Sequence, residues 1–443
     1  MKFRALQEKR RFISGKRVIG IDPAKKKHQA AILDEQGLQA GKPFTFGHTY
    51  DGFHTTLWNK INLQLSECNP QDVVFSVETS CNLWQKLVQY LHAKGYSVVL
   101  VNPVTTKRTR PFFNHDFSHT DPKDAMLMAS NARDGYFDHY IHHEPLANAM
   151  HQLSITYCKL VRNYVQQRTR LRSVVELIFP EFCDILPLST KSAMYLLSKY
   201  LFPQDFLQLD LEGESKELER ISQKQHGKLT LQALKQAATR TIGIPAQPAE
   251  MPAYRVTLDA WLDILKSVEK NMNQLLDQLF PLAEQTPYFE ILTSLKGISA
   301  KLAALFIAET RELSCYRHYK QLEKLIGYNL RQRTSGEYIG TGRISHIGNR
   351  RLSWIVYKMT EGAVKYVPEV RMKFLRRQLR KKSYRKNLIA SAPTLLKLIV
   401  ALVKENRTYE YKSDSLHQLN ELEEQYREVM QKKSKSPRFK QAA

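Results

Sequence analysis

The chain has 443 residues, 42% hydrophobic and 25% charged. That is long enough for about two to four domains and too apolar for global disorder. Lysine and arginine outnumber aspartate and glutamate by 67 to 43, a formal charge of +24, which points to a polyanion as partner, with an anionic membrane surface as the plainer competitor. No run of about eighteen apolar residues and no signal-peptide pattern stands out, so no membrane partner is expected. Five scattered cysteines without C-x-x-C spacing fit a reducing, cytoplasmic compartment and argue against a zinc ribbon or a disulfide framework.

The first 140 residues alternate strands and helices. "RVIGID" (17–22), "HQAAIL" (28–33) and "PFTF" (43–46) are short apolar runs. They precede a helical segment, "DGFHTTLWNKINLQL", a strand "DVVFSVE" (72–78), a helix "NLWQKLVQYLHAKG", a strand "YSVVLVNP" and a helix from "DPKDA". The order β-β-β-α-β-α-β-α predicts a meander joined to parallel crossovers. In "HTDPKDA", Asp121 suits an N-cap, Pro122 the first helical position and Asp124 the first turn. "HYIHH" (His139 to His143) has no cysteine partners and reads as an exposed polar loop.

From about 150 to 285 the pattern is helical. Leu153, Tyr157, Leu160, Tyr164, Leu171, Val175 and Ile178 recur at helical spacing. Leu258, Trp261, Leu265, Val268, Met272, Leu275 and Leu279 alternate steps of three and four, as in a heptad seam. The two segments suit either an antiparallel coiled coil or ordinary core packing. A small helical cap lies between them, and Pro245, Pro248 and Pro252 mark the loop before the second long helix.

A third unit runs from about 286 to 411. "FEILTSLKGISAKLAALFIAE" resembles a helix-hairpin-helix, with Ser299 in place of the usual second glycine, a turn that offers backbone N–H groups to phosphate. "RQRTSGEYIGTGRISHIGNRR" reads as turns and short strands. "RMKFLRRQLRKKSYRK" carries nine Lys/Arg and no acid, including Lys373, Arg376, Arg377, Arg380, Lys381 and Lys382, with aromatics at Phe374 and Tyr384. That density points to phosphate contact rather than to a merely solvated face.

Chemistry concentrates in four acids. Asp22 and Glu78 each end an apolar strand, where sites form in open α/β sheets. Asp121 and Asp124, three apart, share one helix face. Four carboxylates converging in a cleft repel one another and call for cations; hard oxygen donors select Mg²⁺ or Mn²⁺, which serve phosphoryl transfer. Asp, Glu and Asp-x-x-Asp on this element order is the pattern of an RNase H-like nuclease.

"VIGIDPAKKKHQAAILDEQG", "FSVETS", "VVLVNP" and "HTDPKDA" resemble the catalytic domain of the DEDD transposases of bacterial insertion sequences, a family that includes the Piv-type DNA invertases. "LTSLKGISAKLAALFIAE", "LEKLIGY", "SGEYIGTGRISHIGNRRLSWIVY" and "LIASAPTLLKLIVALVKENRTYEY" resemble its second conserved region, and the likeness runs in order over about 17 to 411. The resemblance implies an α/β RuvC-like (RNase H-like) domain over 1–145 and a helical coiled-coil spacer over 146–285. A mostly α Tnp domain follows over 286–411, then a charged helical or disordered tail over 412–443. It implies Mg²⁺-dependent DNA strand exchange, with catalytic and metal-binding roles for Asp22, Glu78, Asp121 and Asp124. It places on Ser335 a serine that attacks the DNA backbone, the acid site of a partner subunit completing the centre in a homodimer or homotetramer. A structured guide RNA encoded by the element, the bridge RNA, is implied as the reader of double-stranded target and donor DNA. From the residues alone, Ser335 before Gly336 is a turn position and Ser345 is a rival hydroxyl, while Arg331, Arg333 and Arg343 flank the loop as phosphate ligands. The competing readings are a Holliday-junction-resolvase type of nuclease that cuts by water, and a nucleic-acid-binding scaffold with decayed acids; all four acids being present speaks against the latter.

Overall fold

The computed structural model describes residues 3–65, 68–80, 82–112, 121–331, 334–335, 338–339, 342–380, 383–411 and 416–434. The chain divides into two compact units, Met1–His142 and His143–Ala443.

The first unit runs α1 (Phe3–Ile13), β1 (Arg17–Asp22), β2 (Lys27–Leu33), β3 (Phe44–Gly47), α2 (Leu57–Asn62), β4 (Val73–Glu78), α3 (Leu83–Ala93), β5 (Ser97–Val101), α4 (Pro103–Thr109), α5 (Asp121–Arg133) and β6 (Asp138–His139). Its mixed sheet has the order β3-β2-β1-β4-β5-β6. The meander β1–β2–β3 is antiparallel, β4 and β5 join parallel, and β6 closes the edge antiparallel. This arrangement is compatible with an RNase H-like domain. The strands read as continuous apolar runs because both faces are covered. One face packs Phe46, Leu57, Phe75 and Leu91; the other packs Val18, Val74 and Val99 beneath α5. Helix α4 was not expected, yet its start is legible: Asn102 accepts the Val104 N–H at 2.8 Å and Pro103 takes the first position.

Helix α5 lies on β1 at near backbone contact. A Cβ on Gly20 would stand 2.1 Å from the Ala125 carbonyl oxygen and 2.5 Å from the Ala129 nitrogen. Fully buried Ser76 of β4 donates to the Met128 carbonyl at 2.8 Å, tying the same helix to the neighbouring strand.

The second unit is largely helical. Two helices of 34 residues, α6 (Pro145–Ile178) and α12 (Met251–Glu284), pack along each other. Met150 and Tyr157 share a core with Leu279 and Ala283, while Leu171 and Val175 share another with Leu258 and Leu262, so the two helices run antiparallel. Between them, α7 (Pro180–Ile185), α8 (Lys191–Lys199), α9 (Pro203–Leu207), α10 (Leu211–Ser222) and α11 (Lys228–Ala238) close over Phe179, Phe182 and Phe206.

Beyond α12 come α13 (Tyr288–Thr293), α14 (Ala300–Thr310) and α15 (Tyr319–Ile326), then two-residue strands β7 (Leu330–Arg331), β8 (Thr334–Ser335), β9 (Tyr338–Ile339) and β10 (Arg343–Ile344). Helices α16 (Arg350–Tyr366), α17 (Pro368–Leu379), α18 (Tyr384–Glu405) and α19 (Leu416–Ser434) complete the unit. The Gly297 turn, at φ +97°, sits against Gly362 of α16, where a Cβ would meet the facing carbonyl oxygen at 2.5 Å. Helix α18 has the length and composition to cross a membrane, but Leu388, Leu395, Leu396 and Ile399 are fully buried in the core. Helix α19 packs on α17, with an Arg371–Glu423 pair at 3.2 Å.

Glu309 is a buried hub. Its fully buried side chain accepts from Ser154 of α6 (2.9 Å), Asn349 (2.6 Å) and Arg351 of α16 (2.7 Å). Burial raises its pKa, but the hydrogen bonds from Arg351 and Asn349 outweigh burial and hold the carboxyl below its ordinary value.

Two substitutions test these contacts. Gly20→Val should cost about 3 kcal/mol or more in urea unfolding, since the clash is with helix backbone rather than with a side chain that could move. Glu309→Ala should cost about 3–5 kcal/mol by leaving Arg351 unpaired. A near-neutral result for either would contradict the corresponding contact.

Candidate active site and nucleic-acid interface

Asp22 is the last residue of β1 and Glu78 the last of β4, and parallel pairing of Ile21 with Val77 sets the two acids side by side. Helix α5 opens with Asp121 and carries Asp124 in its first turn. Asp121 and Asp124 both fall in the acidic first turn of the described helix, while His119 and Thr120 lie outside the described residues.

The four acids share one electrostatic environment. Burial pushes the Asp22 carboxyl up to about 7; the charges of Glu78, Asp124 and Asp121 push the same way, and Arg110 opposes them. Arg110 donates to one Asp124 oxygen through Nη2 at 2.7 Å and Nε at 3.1 Å, with both side chains mostly buried. Among the described residues no three His, Cys, Asp or Glu side chains stand close enough together to hold one ion. The donor chemistry and the surplus of negative charge fit a hard divalent cation. Arg110 is the cation that faces Asp124 in this form.

Fully buried His28 fixes the chain leaving Asp22. Its Nδ1 accepts the Ala24 N–H at 3.1 Å, so its Nε2 carries the proton and donates to His48 Nδ1 at 2.8 Å. Burial, then the His48 charge, pushes His28 down to about 4. Of the "HYIHH" histidines, His139 packs edge-on against Phe12 and His142 stacks on His92.

In the second unit Ser335 ends β8 and pairs with Tyr338 of β9; Arg333 lies outside the described residues. Ser345, the rival hydroxyl, is buried and donates to Asn329 Oδ1 at 2.8 Å while accepting the Ile347 N–H at 3.2 Å. Those bonds give it a structural task. Arg331 and Arg343 stand directly opposite each other across the β7–β10 ribbon. Like charges in that position destabilise a ribbon unless an anion lies between or near them. Arg331 also donates to the Ser345 carbonyl at 2.9 Å.

The basic run divides between two surfaces. Lys373 and Arg376 of α17 and Arg380 at its C-cap are exposed, at steps of three and four. Arg377 instead lines a cleft of about 850 Å³ with Arg343, His346, Lys386 and Tyr328. Lys381 and Lys382 lie outside the described residues.

Comparison with known proteins gives two family matches in one chain. Residues 19–180 match the DEDD transposase model of the IS110 type, and residues 289–374 match the transposase family IS116/IS110/IS902. The chain belongs to the IS110 family of DEDD transposases. It is also similar to the uncharacterized 44.8 kDa protein of insertion element IS116 from Streptomyces clavuligerus, 23% identical over 399 residues, covering 88% of this chain and 95% of that protein.

The first match spans all four acids, and the second spans Ser335, Arg331 and Arg343 but stops at 374, within the basic helix. Three residues of this transposase were missed from sequence: Gly20, His28 and Arg110. Gly20 inside "VIGID" carried a signal, since a glycine within a buried strand marks close backbone approach. Arg110 carried none, because its partner Asp124 is fourteen residues away in the chain and outside any one element's periodicity.

The raised Asp22 carboxyl sets a pH dependence. Its folded value near 7 lies above the ordinary value of 3.8, so the folded state holds the extra proton. The stability this proton confers is present at low pH and lost as pH rises through about 7. In metal-free buffer the Tm of the wild type should therefore fall relative to that of Asp22→Asn between about pH 4 and pH 8. Parallel curves would rule out the shared electrostatic environment.

Proposed function

We propose that this transposase breaks and rejoins DNA with a divalent-metal centre on Asp22, Glu78, Asp121 and Asp124 and a nucleophilic serine, Ser335. The observation that carries the reading is that two strand-end acids and two helix-start acids share one environment, where burial and then Glu78, Asp124 and Asp121 raise the Asp22 carboxyl. Mg²⁺ or Mn²⁺ held by these carboxylates would stabilise negative charge developing on phosphate oxygens. In the transfer, the Ser335 oxygen forms a bond to phosphorus as one phosphodiester P–O bond breaks. The serine proton passes to a carboxylate or water, and the leaving oxygen takes up a proton. A DNA hydroxyl then attacks the phosphoserine, releasing the serine and joining the strands.

The basic surfaces hold backbone rather than read sequence. Two opposed arginines, Arg331 and Arg343, and the cleft that joins Arg343 to Arg377 and Lys386 gather positive charge that suits a phosphate backbone. Sequence choice falls to an element-encoded structured RNA pairing with donor and target DNA, as in guided recognition generally. The antiparallel pair α6–α12 serves as the coiled-coil spacer between the acid domain and the serine domain. A homodimer or homotetramer in the cytoplasm would let one subunit's acids complete another's serine.

Ser335→Ala tests the nucleophile. On DNA bearing the element ends, the wild type should give a covalent protein–DNA adduct on a denaturing gel, and the variant none. Adducts persisting in Ser335→Ala would remove the serine assignment; strand cutting with no adduct in the wild type would favour water as nucleophile and a resolvase-like nuclease. Separately, Arg343→Ala with Arg377→Ala should weaken DNA binding and reduce the salt slope of log K by about 2, one for each lost phosphate contact. An unchanged slope would place the backbone elsewhere.

A further inference from the structure

A second cavity lies in the first unit, on the side of α5 facing α4. It measures about 530 Å³ and is lined in part by Arg108, Thr109, Phe112, Asn131, Asp134 and Tyr136. Asn131 is 2% exposed, and its Nδ2 has no hydrogen-bond partner. Native proteins pair nearly all such groups, so a buried amide left open beside a cavity calls for a ligand. The rim carries two exposed rings, Phe112 at 83% and Tyr136 at 39% exposure. The polar groups are mixed in sign: Arg108 is a cation, Asp134 an anion, and Asn131 offers a donor and an acceptor. A carboxylate on the wall opposes a free phosphate. It suits instead a planar group with its own amino donor, flanked by aromatic faces and tethered to an anion at the Arg108 edge.

We propose that this cavity takes one unpaired nucleobase carrying an exocyclic amino group, from a strand bound at the acid site. The base stacks on the rim rings, its edge meets Asn131 and Asp134, and its phosphate meets Arg108. Asn131 lies two helical turns, about 10 Å, along α5 from Asp124, so a nucleotide held here belongs to the same strand as a phosphate held at the acids. The inference rests on the nucleic-acid reading above and adds to it a base-holding site on the acid-bearing unit.

The test uses the full chain in metal-free buffer, so that nothing is cut, with two probes: a short oligodeoxycytidylate strand and an abasic strand of equal length. The wild type should prefer the cytidine strand by about tenfold, the scale of one base–aromatic stack. Asn131→Leu, which replaces the unpaired amide with an apolar side chain of similar size, and Tyr136→Ala, at the exposed rim, should each abolish that preference. Both should bind the abasic strand as the wild type does, and Asn131→Leu should melt no lower than the wild type without DNA. Retention of the preference by either variant overturns the proposal, as does a fall in the melting temperature of Asn131→Leu, which would make the amide structural. Equal binding of both strands by the wild type defeats the base pocket alone. Binding of neither defeats the nucleic-acid reading and the pocket with it.

Discussion

The acid site depends on one steric permission: the absence of a side chain at Gly20. With no Cβ there, the backbone of α5 lies directly on β1, its Ala125 carbonyl and Ala129 nitrogen occupying the space a side chain would fill. Alanines at both helix positions, fully buried, keep the contact close. Helices packed through ordinary side chains stand about 8–10 Å from their neighbours, and sheets are covered at a similar distance. At such a separation the first turn of α5 would lie farther from the ends of β1 and β4, and Asp121 and Asp124 would act less on Asp22. Ser76 strengthens the same contact by satisfying itself on the Met128 carbonyl, so that a buried hydroxyl costs nothing unpaired.

The two chemical surfaces are each unbalanced alone, in opposite senses. On the first unit, burial and then the charges of Glu78, Asp124 and Asp121 push the Asp22 carboxyl up to about 7, with Arg110 opposing them. On the second, Arg331 and Arg343 oppose each other across a ribbon of two residues per strand, too short to hold two like charges together by its own ladder. A cation resolves the first imbalance and a phosphate the second. Arg110 has a double standing in this account. It neutralises part of the cluster, and an ion that takes Asp124 as a ligand must compete with a mostly buried, two-donor contact.

Much of the first unit was legible because its signals are local. "RVIGID" and "DVVFSVE" are apolar runs ended by an acid, and the observed strands end on those same acids, Asp22 and Glu78. The opening of α5 was readable from "DPKDA", whose two aspartates stand in the first turn of the described helix. Contacts between distant segments were not legible. Neither Arg110 on Asp124 nor Ser154 and Arg351 on Glu309 leaves a periodic trace, since each partner is fixed only when the chain has folded. The rival hydroxyl at Ser345 could not be set aside from sequence, because its role rests on bonds to Asn329 and Ile347 that two short strands bring together.

Helix α5 accounts for more than the placement of two acids. Its first turn carries Asp121 and Asp124, its next turns carry Ala125, Met128 and Ala129 against the sheet, and its last turns carry Asn131 toward α4. Asp124 and Asn131, seven residues apart, lie on one side of the helix, and burial of Ala125 to Ala129, Asn131 and Ala132 on nearly every side explains why it lacks the single apolar stripe of an ordinary surface helix. Because a helix is stiff over thirteen residues, a ligand that shifts one end moves the other by a comparable amount. The backbone contact at Gly20 limits that movement to rotation or sliding along β1, as there is no side chain to compress. The cavity and the acids are therefore carried by one stiff helix whose closest support is the backbone contact at Gly20.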